Sequence, residues 1–68
     1  MEFDLNGREF ITLTNLLKVL GLASTGGEAN TRIENGEVKV NDAVETQKRK
    51  KLRAGDVVAF QKTAIVIK

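Results

Sequence analysis

Leu13, Leu16, Leu17 and Leu20 recur at the i, i+3, i+4, i+7 spacing that lines one face of a short helix. Thr12 stands where its hydroxyl can accept an amide of the first turn, and Gly21 where a left-handed residue closes the last one. Leu22 is then placed to fold back on Leu17. Ser24-Thr25-Gly26-Gly27-Glu28 opens a second helix, with Thr25 and Glu28 at capping-box spacing. Ala29 and Ile33 lie one turn apart on the face expected to meet the first helix, and Ala29 with Gly26 or Gly27 is small enough to permit a close approach. Gly36 is the natural stop.

Beyond Gly36 the period changes from helical to alternating. Val38 and Val40 point one way, and Glu37, Lys39 and Asn41 the other. Asn41-Asp42 marks a turn and Val44 resumes an apolar position. Leu52 is the one expected anchor within a polar run, and Ala54-Gly55-Asp56 turns the chain again. Val57–Phe60 and Ala64–Ile67 read as two strands joined through Gln61-Lys62-Thr63. Near the start, Phe3-Asp4-Leu5 and Arg8-Glu9-Phe10 flank Asn6-Gly7, which predicts a hairpin, or at least a turn leading one strand into the fold. The order gives an α+β fold, two short helices packed on a small antiparallel sheet, in a single domain over residues 1–68. There is no internal repeat, linker or low-complexity tract.

Composition narrows the chemistry. The 68 residues include no His, Cys, Trp, Tyr or Pro. No Ser-His or Cys-His nucleophile pair, thiolate or imidazole zinc site, or disulfide framework can be built. The carboxylates are scattered, and no phosphate-cradling G-x-x-x-x-G-K-[ST] loop is present. So short a chain has little room for a closed pocket. The expectation is a protein without catalysis, cofactor, metal or small-molecule substrate. The apolar runs are far too short to span a membrane, and Met-Glu-Phe-Asp has neither the basic region nor the apolar segment of a leader. A soluble cytoplasmic monomer is expected.

A net charge of +2 conceals an asymmetry. Residues 1–37 carry three basic and six acidic side chains, net −3, and residues 38–68 carry eight and three, net +5. Five of the eleven basic residues, Lys48, Arg49, Lys50, Lys51 and Arg53, fall in one six-residue stretch. Such a run is tolerated as a solvated loop, and it also supplies an electrostatic footprint for a polyanion.

The stretch from Leu16-Leu17 to Gly21, then Ala23-Ser24-Thr25, Gly36 to Asn41, the basic run, and Gly55-Asp56-Val57-Val58 resembles the RNA-binding domain first known from small-subunit ribosomal protein S-four, the αL motif. The likeness spans about residues 12–58, and its specificity lies in the ordered set rather than in any one piece. Gly26-Gly27-Glu28-Ala29 is similar to a subgroup of short bacterial proteins that are stand-alone copies of this domain. The resemblance implies binding to structured RNA, with ribosomal RNA or ribosome-assembly intermediates as the usual context. Where many members carry Arg, this chain has Thr12, Gly26 and Asn30. Those departures imply weaker binding, or a contact shifted toward the basic run.

Taken with the resemblance, the residues point to an RNA contact made of three parts. Thr25, Gly26 and Gly27 offer free amides and a positive dipole end, although the two glycines also suit tight helix packing. Lys39 is exposed on its strand, with Arg32 and Asn41 as flanking candidates. Lys48, Arg49, Lys50, Lys51 and Arg53 supply the charge, Arg able to grip a phosphate bidentately and Lys as a mobile point charge. Phe3, Phe10 and Phe60 read as core, so no platform for stacking bases is evident. Backbone and shape recognition of folded RNA follows. Two other readings compete. A helix-turn-helix would bind DNA, but residues 26–35 present only Asn30, Arg32 and Asn35 for base edges, opposed by Glu28 and Glu34. A protein-interaction module would use the short apolar strand Ala64–Ile67 as a free sheet edge.

Overall fold

A computed structural model describes all residues, 1–68. Its elements in chain order are β1 (Glu2–Phe3), β2 (Ile11–Thr12), α1 (Leu13–Val19), α2 (Gly26–Glu34), β3 (Val38–Val40), β4 (Ala43–Val44), β5 (Lys51–Leu52), β6 (Val57–Phe60) and β7 (Thr63–Ile67). Five strands form a sheet in the order β1-β7-β6-β3-β4, and β2 with β5 forms a separate two-stranded ladder. Every pairing is antiparallel except β1 with β7. No helix is long and apolar enough to cross a membrane.

Both helices start and stop as their local chemistry dictates. Thr12 and Thr25 are the N-caps, their hydroxyls accepting from the Asn15 and Glu28 amides at 3.4 and 3.1 Å. Glu28 makes no return bond to Thr25, so only half of the capping box forms. Gly21 (φ +73°) closes α1: its amide donates to the Lys18 carbonyl, and that of Leu22 to Leu17. Gly36 (φ +78°) does the same for α2, with bonds to Ile33 and, from Glu37, to Arg32. A left-handed residue lets the chain reverse while the last carbonyls keep donors.

The core is one cluster of 15 buried residues, all apolar. The inner face of the sheet contributes Val38, Val40, Val58, Phe60, Ile65 and Ile67; the helices contribute Leu13, Leu16, Leu17, Ala29 and Ile33. Leu5, Ile11, Ala23 and Leu52 complete it. Each fully buried Leu, Ile, Val or Phe contributes about 1.5–3 kcal/mol, and no disulfide assists.

Four expectations are corrected. Asn6-Gly7 turns as predicted, with positive φ at both residues (54° and 86°), but no hairpin forms. Leu5 is buried, and its amide donates to the Lys68 carbonyl at 2.8 Å. That contact continues the parallel alignment of β1 with β7, so β1 is already paired and the chain after the turn leaves to join β5 instead. For the same reason β7 lies between β1 and β6 rather than at an edge, which removes the free strand that the interaction-module reading needed. Val44 is apolar but 56% exposed, because it sits opposite Lys39 on the outer face of the edge strand β4. Of the three phenylalanines only Phe60 is fully buried. Phe3, half-buried beneath Arg8, still packs against the core as expected, whereas Phe10 is half-buried beneath Lys51 and stands outside it.

Candidate nucleic-acid interface

The basic run is not a loose loop. Leu52 is wholly buried and pairs with Ile11, and Lys51 pairs with Thr12, so the end of the run is a strand. Its beginning is held by carbonyls. The Leu13 amide donates to the Lys50 carbonyl at 2.9 Å and the Thr14 amide to the Lys48 carbonyl at 3.1 Å. These are first-turn amides of α1, which have no partner inside the helix. The loop fills them with its own oxygens, so this helix start has no donors left for an anion. With the carbonyls turned inward, Lys48, Arg49, Lys50, Lys51 and Arg53 are all exposed.

Little inside the protein neutralises these cations. Lys48 Nζ lies 3.8 Å from the Glu34 carboxylate, a loose and exposed pair of small energetic weight. Lys51 Nζ sits 4.9 Å from the centre of the Phe10 ring, which supports its stem and fixes its direction. Arg49, Lys50 and Arg53 form no ion pair.

Between α1, α2 and this loop lies an open cleft of about 380 Å³. Thr12, Thr14, Asn15, Asn30, Lys48 and Arg49 line it, with no hydrophobic side chain among them. The Thr14 hydroxyl stands 2.7 Å from Asn30 Oδ1 and 2.8 Å from the Lys48 carbonyl oxygen; its one proton is shared between these two acceptors, so one side chain links both helices and the loop. Asn30 Nδ2 and the Asn15 side-chain amide have no partner within the chain.

The other candidates fall elsewhere. Gly26 and Gly27 begin α2 about one helical turn from Asn30, beside Lys18. Their amides make no hydrogen bond. A Cβ added at Gly26 would meet only Lys18 Cδ at 3.7 Å, and one at Gly27 only Thr25 Oγ1 at 3.9 Å, so neither glycine is required by packing. Ala29, by contrast, is fully buried in the core. Arg32 lies about 200° around α2 from Asn30, and its guanidinium donates to the Glu37 carboxylate at 3.2 and 3.5 Å. Lys39 is exposed on the outer face of the sheet, opposite Ala59 and Val44. Asn41 is committed at both ends: its Nδ2 donates to Asp56 Oδ1 at 3.1 Å, and its Oδ1 accepts from the Val57 amide at 2.9 Å. Asp56 also accepts from the Arg53 amide at 2.9 Å. That backbone bond, with the Asn41 amide and the charges of Lys50 and Arg53, holds the Asp56 carboxyl below its ordinary pKa against the opposing effect of partial burial.

Thr14 and Asn15 were not evident as site residues in the sequence. Thr14 bonds to residues 16 and 34 positions away, a juxtaposition that only the tertiary fold creates.

The whole arrangement has counterparts. The family model described as the S4 domain matches residues 3–68. Escherichia coli (strain K12) has a relative named "Putative RNA-binding protein YbcJ", 43% identical over 58 residues, 85% of this chain and 83% of that one. Bacillus subtilis (strain 168) has one named "Probable ribosome maturation protein RlbA", 38% identical over 53 residues, 78% and 75% of the two chains. The solution structure of YbcJ from E. coli, described as revealing an αL motif involved in RNA binding, superposes with a TM-score of 0.73 at 38% identity, covering 97% of this chain and 84% of that one. With the ordered loop-and-helix segments of the αL motif in place and the family model matched over nearly the full length, this chain belongs to the S4-domain family.

Proposed function

We propose that this domain binds folded RNA, without catalysis, by neutralising phosphates with Lys48, Arg49, Lys50, Lys51 and Arg53. The observation that carries the reading is the fastening of the basic loop: its carbonyls and Leu52 are tied down while its cations stand exposed and almost unpaired. Such a surface presents charge in a fixed pattern, so a shaped backbone is a better partner than a flexible polyanion. Thr25, Gly26 and Gly27 extend the footprint along α2, and Lys39 adds charge at greater distance. Arg32 and Asn41 act within the fold, through Glu37 and Asp56.

Ribosomal RNA or a ribosome-assembly intermediate is the target class we infer, supported by the ribosome-maturation name of the B. subtilis relative. The YbcJ relative and its solved structure support RNA as the ligand. The helix-turn-helix alternative is disfavoured by α2, whose exposed positions are Gly27, Glu28, Thr31 and Glu34. We expect a cytoplasmic monomer, checked by sedimentation.

The test is a filter-binding titration against ribosomal RNA fragments over a range of salt. If four or five phosphates are neutralised, log affinity falls against log salt with a slope on the order of −4. Replacing Lys48, Arg49, Lys50 and Lys51 with Glu abolishes binding while the circular dichroism spectrum and melting transition persist. Undiminished affinity in that variant overturns the assignment.

A further inference from the structure

The basic run explains attraction to any nucleic acid; the cleft beside it has a different character. Two of its six lining residues, Lys48 and Arg49, are charged, and they are adjacent in the basic loop. The remaining four, Thr12, Thr14, Asn15 and Asn30, are neutral hydroxyls and amides. Those groups carry acceptors as well as donors, and the acceptors are of use to a sugar hydroxyl but not to a phosphate. A site for a base needs apolar or aromatic planes, and here no hydrophobic residue lines the cleft. Phe60 is buried, and Phe3 and Phe10 lie under Arg8 and Lys51. A sugar with its phosphate fits both halves. At about 380 Å³ the cleft lies at the small end of the roughly 300–1,000 Å³ typical of ligand sites.

We propose that this cleft is a ribose site, in which Asn30 and Asn15 read the 2′-hydroxyl of a nucleotide whose phosphate lies against Lys48 and Arg49. The inference rests on the RNA-binding reading and adds the group recognised. A 2′-hydroxyl both donates and accepts, and it is the group that separates RNA from DNA at a given site. A carboxamide offers both complements. Asn30 is the better placed of the two. Thr14 on α1 holds one end of its carboxamide at 2.7 Å, which leaves the other end to face the sugar hydroxyl. Asn15, exposed and uncommitted at its side chain, supplies the complementary donor or acceptor. The neutral Asn30 thus gives up charge and gains the ability to discriminate.

The experiment uses a stem–loop RNA randomised in its loop, made once with ribose and once with 2′-fluoro-ribose, which keeps the helical form but removes the hydroxyl. The wild type binds the ribose form on the order of 5- to 10-fold more tightly, as expected for one or two net hydrogen bonds. Asn30→Ala and Asn15→Ala each lower affinity for the ribose form, narrow that ratio and leave the 2′-fluoro affinity and salt slope unchanged. Asn15 is exposed and caps nothing with its side chain, so its variant keeps the test open should Asn30→Ala unfold. Lys48→Glu with Arg49→Glu weakens both forms alike and flattens the slope. Equal wild-type affinity for both forms overturns the ribose site while the RNA-binding reading stands, as does an unchanged ratio in both Asn variants. Failure of the wild type to bind either form overturns the RNA-binding reading itself.

Discussion

The two helices begin in opposite ways. At α1 the first-turn amides of Leu13 and Thr14 are filled by carbonyls of the basic loop, so the helix start serves as a mooring. At α2 the Thr25 hydroxyl satisfies Glu28, while the Gly26 and Gly27 amides remain free, in a setting that packing leaves open. One start organises the cations without touching a ligand; the other is open but has the acidic Glu28 in its first turn. Charge and free donors are therefore placed on different elements, and the polar cleft lies against the first. Having a helix dipole is not enough to make an anion site. What the surrounding chain does with the end of that helix decides its role.

The most damaging way to break this contrast is Leu52→Ala. Leu52 is fully buried and anchors the end of the basic run, so its truncation costs about 2–5 kcal/mol in urea denaturation and frees the loop from α1. Thr14→Val is gentler and more specific. It removes the hydroxyl shared between Asn30 and Lys48, lowers stability by about 1 kcal/mol, and speeds hydrogen exchange at the Leu13 and Thr14 amides while the Thr25 cap of α2 is unaffected. Thr25→Ala makes the reciprocal change, a loss of about 1 kcal/mol read by the same exchange experiment in α2 alone. Gly26→Ala sharpens the contrast with the opposite sign. Space exists for the methyl group, so a gain of about 0.5–1 kcal/mol is expected, seen as a rise in Tm of several degrees.

The smallest effect is titration of Asp56, which lies outside both helix starts. Its carboxyl has a lower pKa in the folded state than in the unfolded chain, chiefly through the Arg53 amide. Below that unfolded value the unfolded chain binds the proton first, so stability present at neutral pH is lost as pH falls through the lowered folded value. Asp56→Asn removes this contribution. Its denaturation midpoint should vary less than that of the wild type across the acid range, with loop exchange rates at Leu13 and Thr14 unchanged.

How far the sequence could be read depended on the range of each interaction. Leucine spacing, Thr12 and Gly21 located α1 because all of these act within a few residues. Val38, Lys39 and Val40 alternated as expected because the sheet has one buried face. Asn6-Gly7 misled because turn chemistry is local while the choice of strand partner is not: β1 is claimed by residues at the far end of the chain. The cation cluster was contiguous and therefore visible. The cleft was not, since Thr14, Asn30 and Lys48 come from three separate segments. Arg32 looked available until the reversal at Gly36 carried Glu37 back beneath it.

The parallel pairing of β1 with β7 has a consequence for the order of folding. Glu2 aligns with Val66 and Phe3 with Ile67, so the sheet joins the first strand of the domain to its last. The helix pair, its caps and the β3–β4 turn depend on near neighbours and can form as the nascent chain emerges. The strand β7 holds β1 on one side and β6 on the other, so the sheet cannot close until β7 itself is available. Closure over so long a loop is entropically costly and slow compared with local steps. Folding of this small domain should therefore finish with the docking of β7, the helices poised and the sheet incomplete until that step.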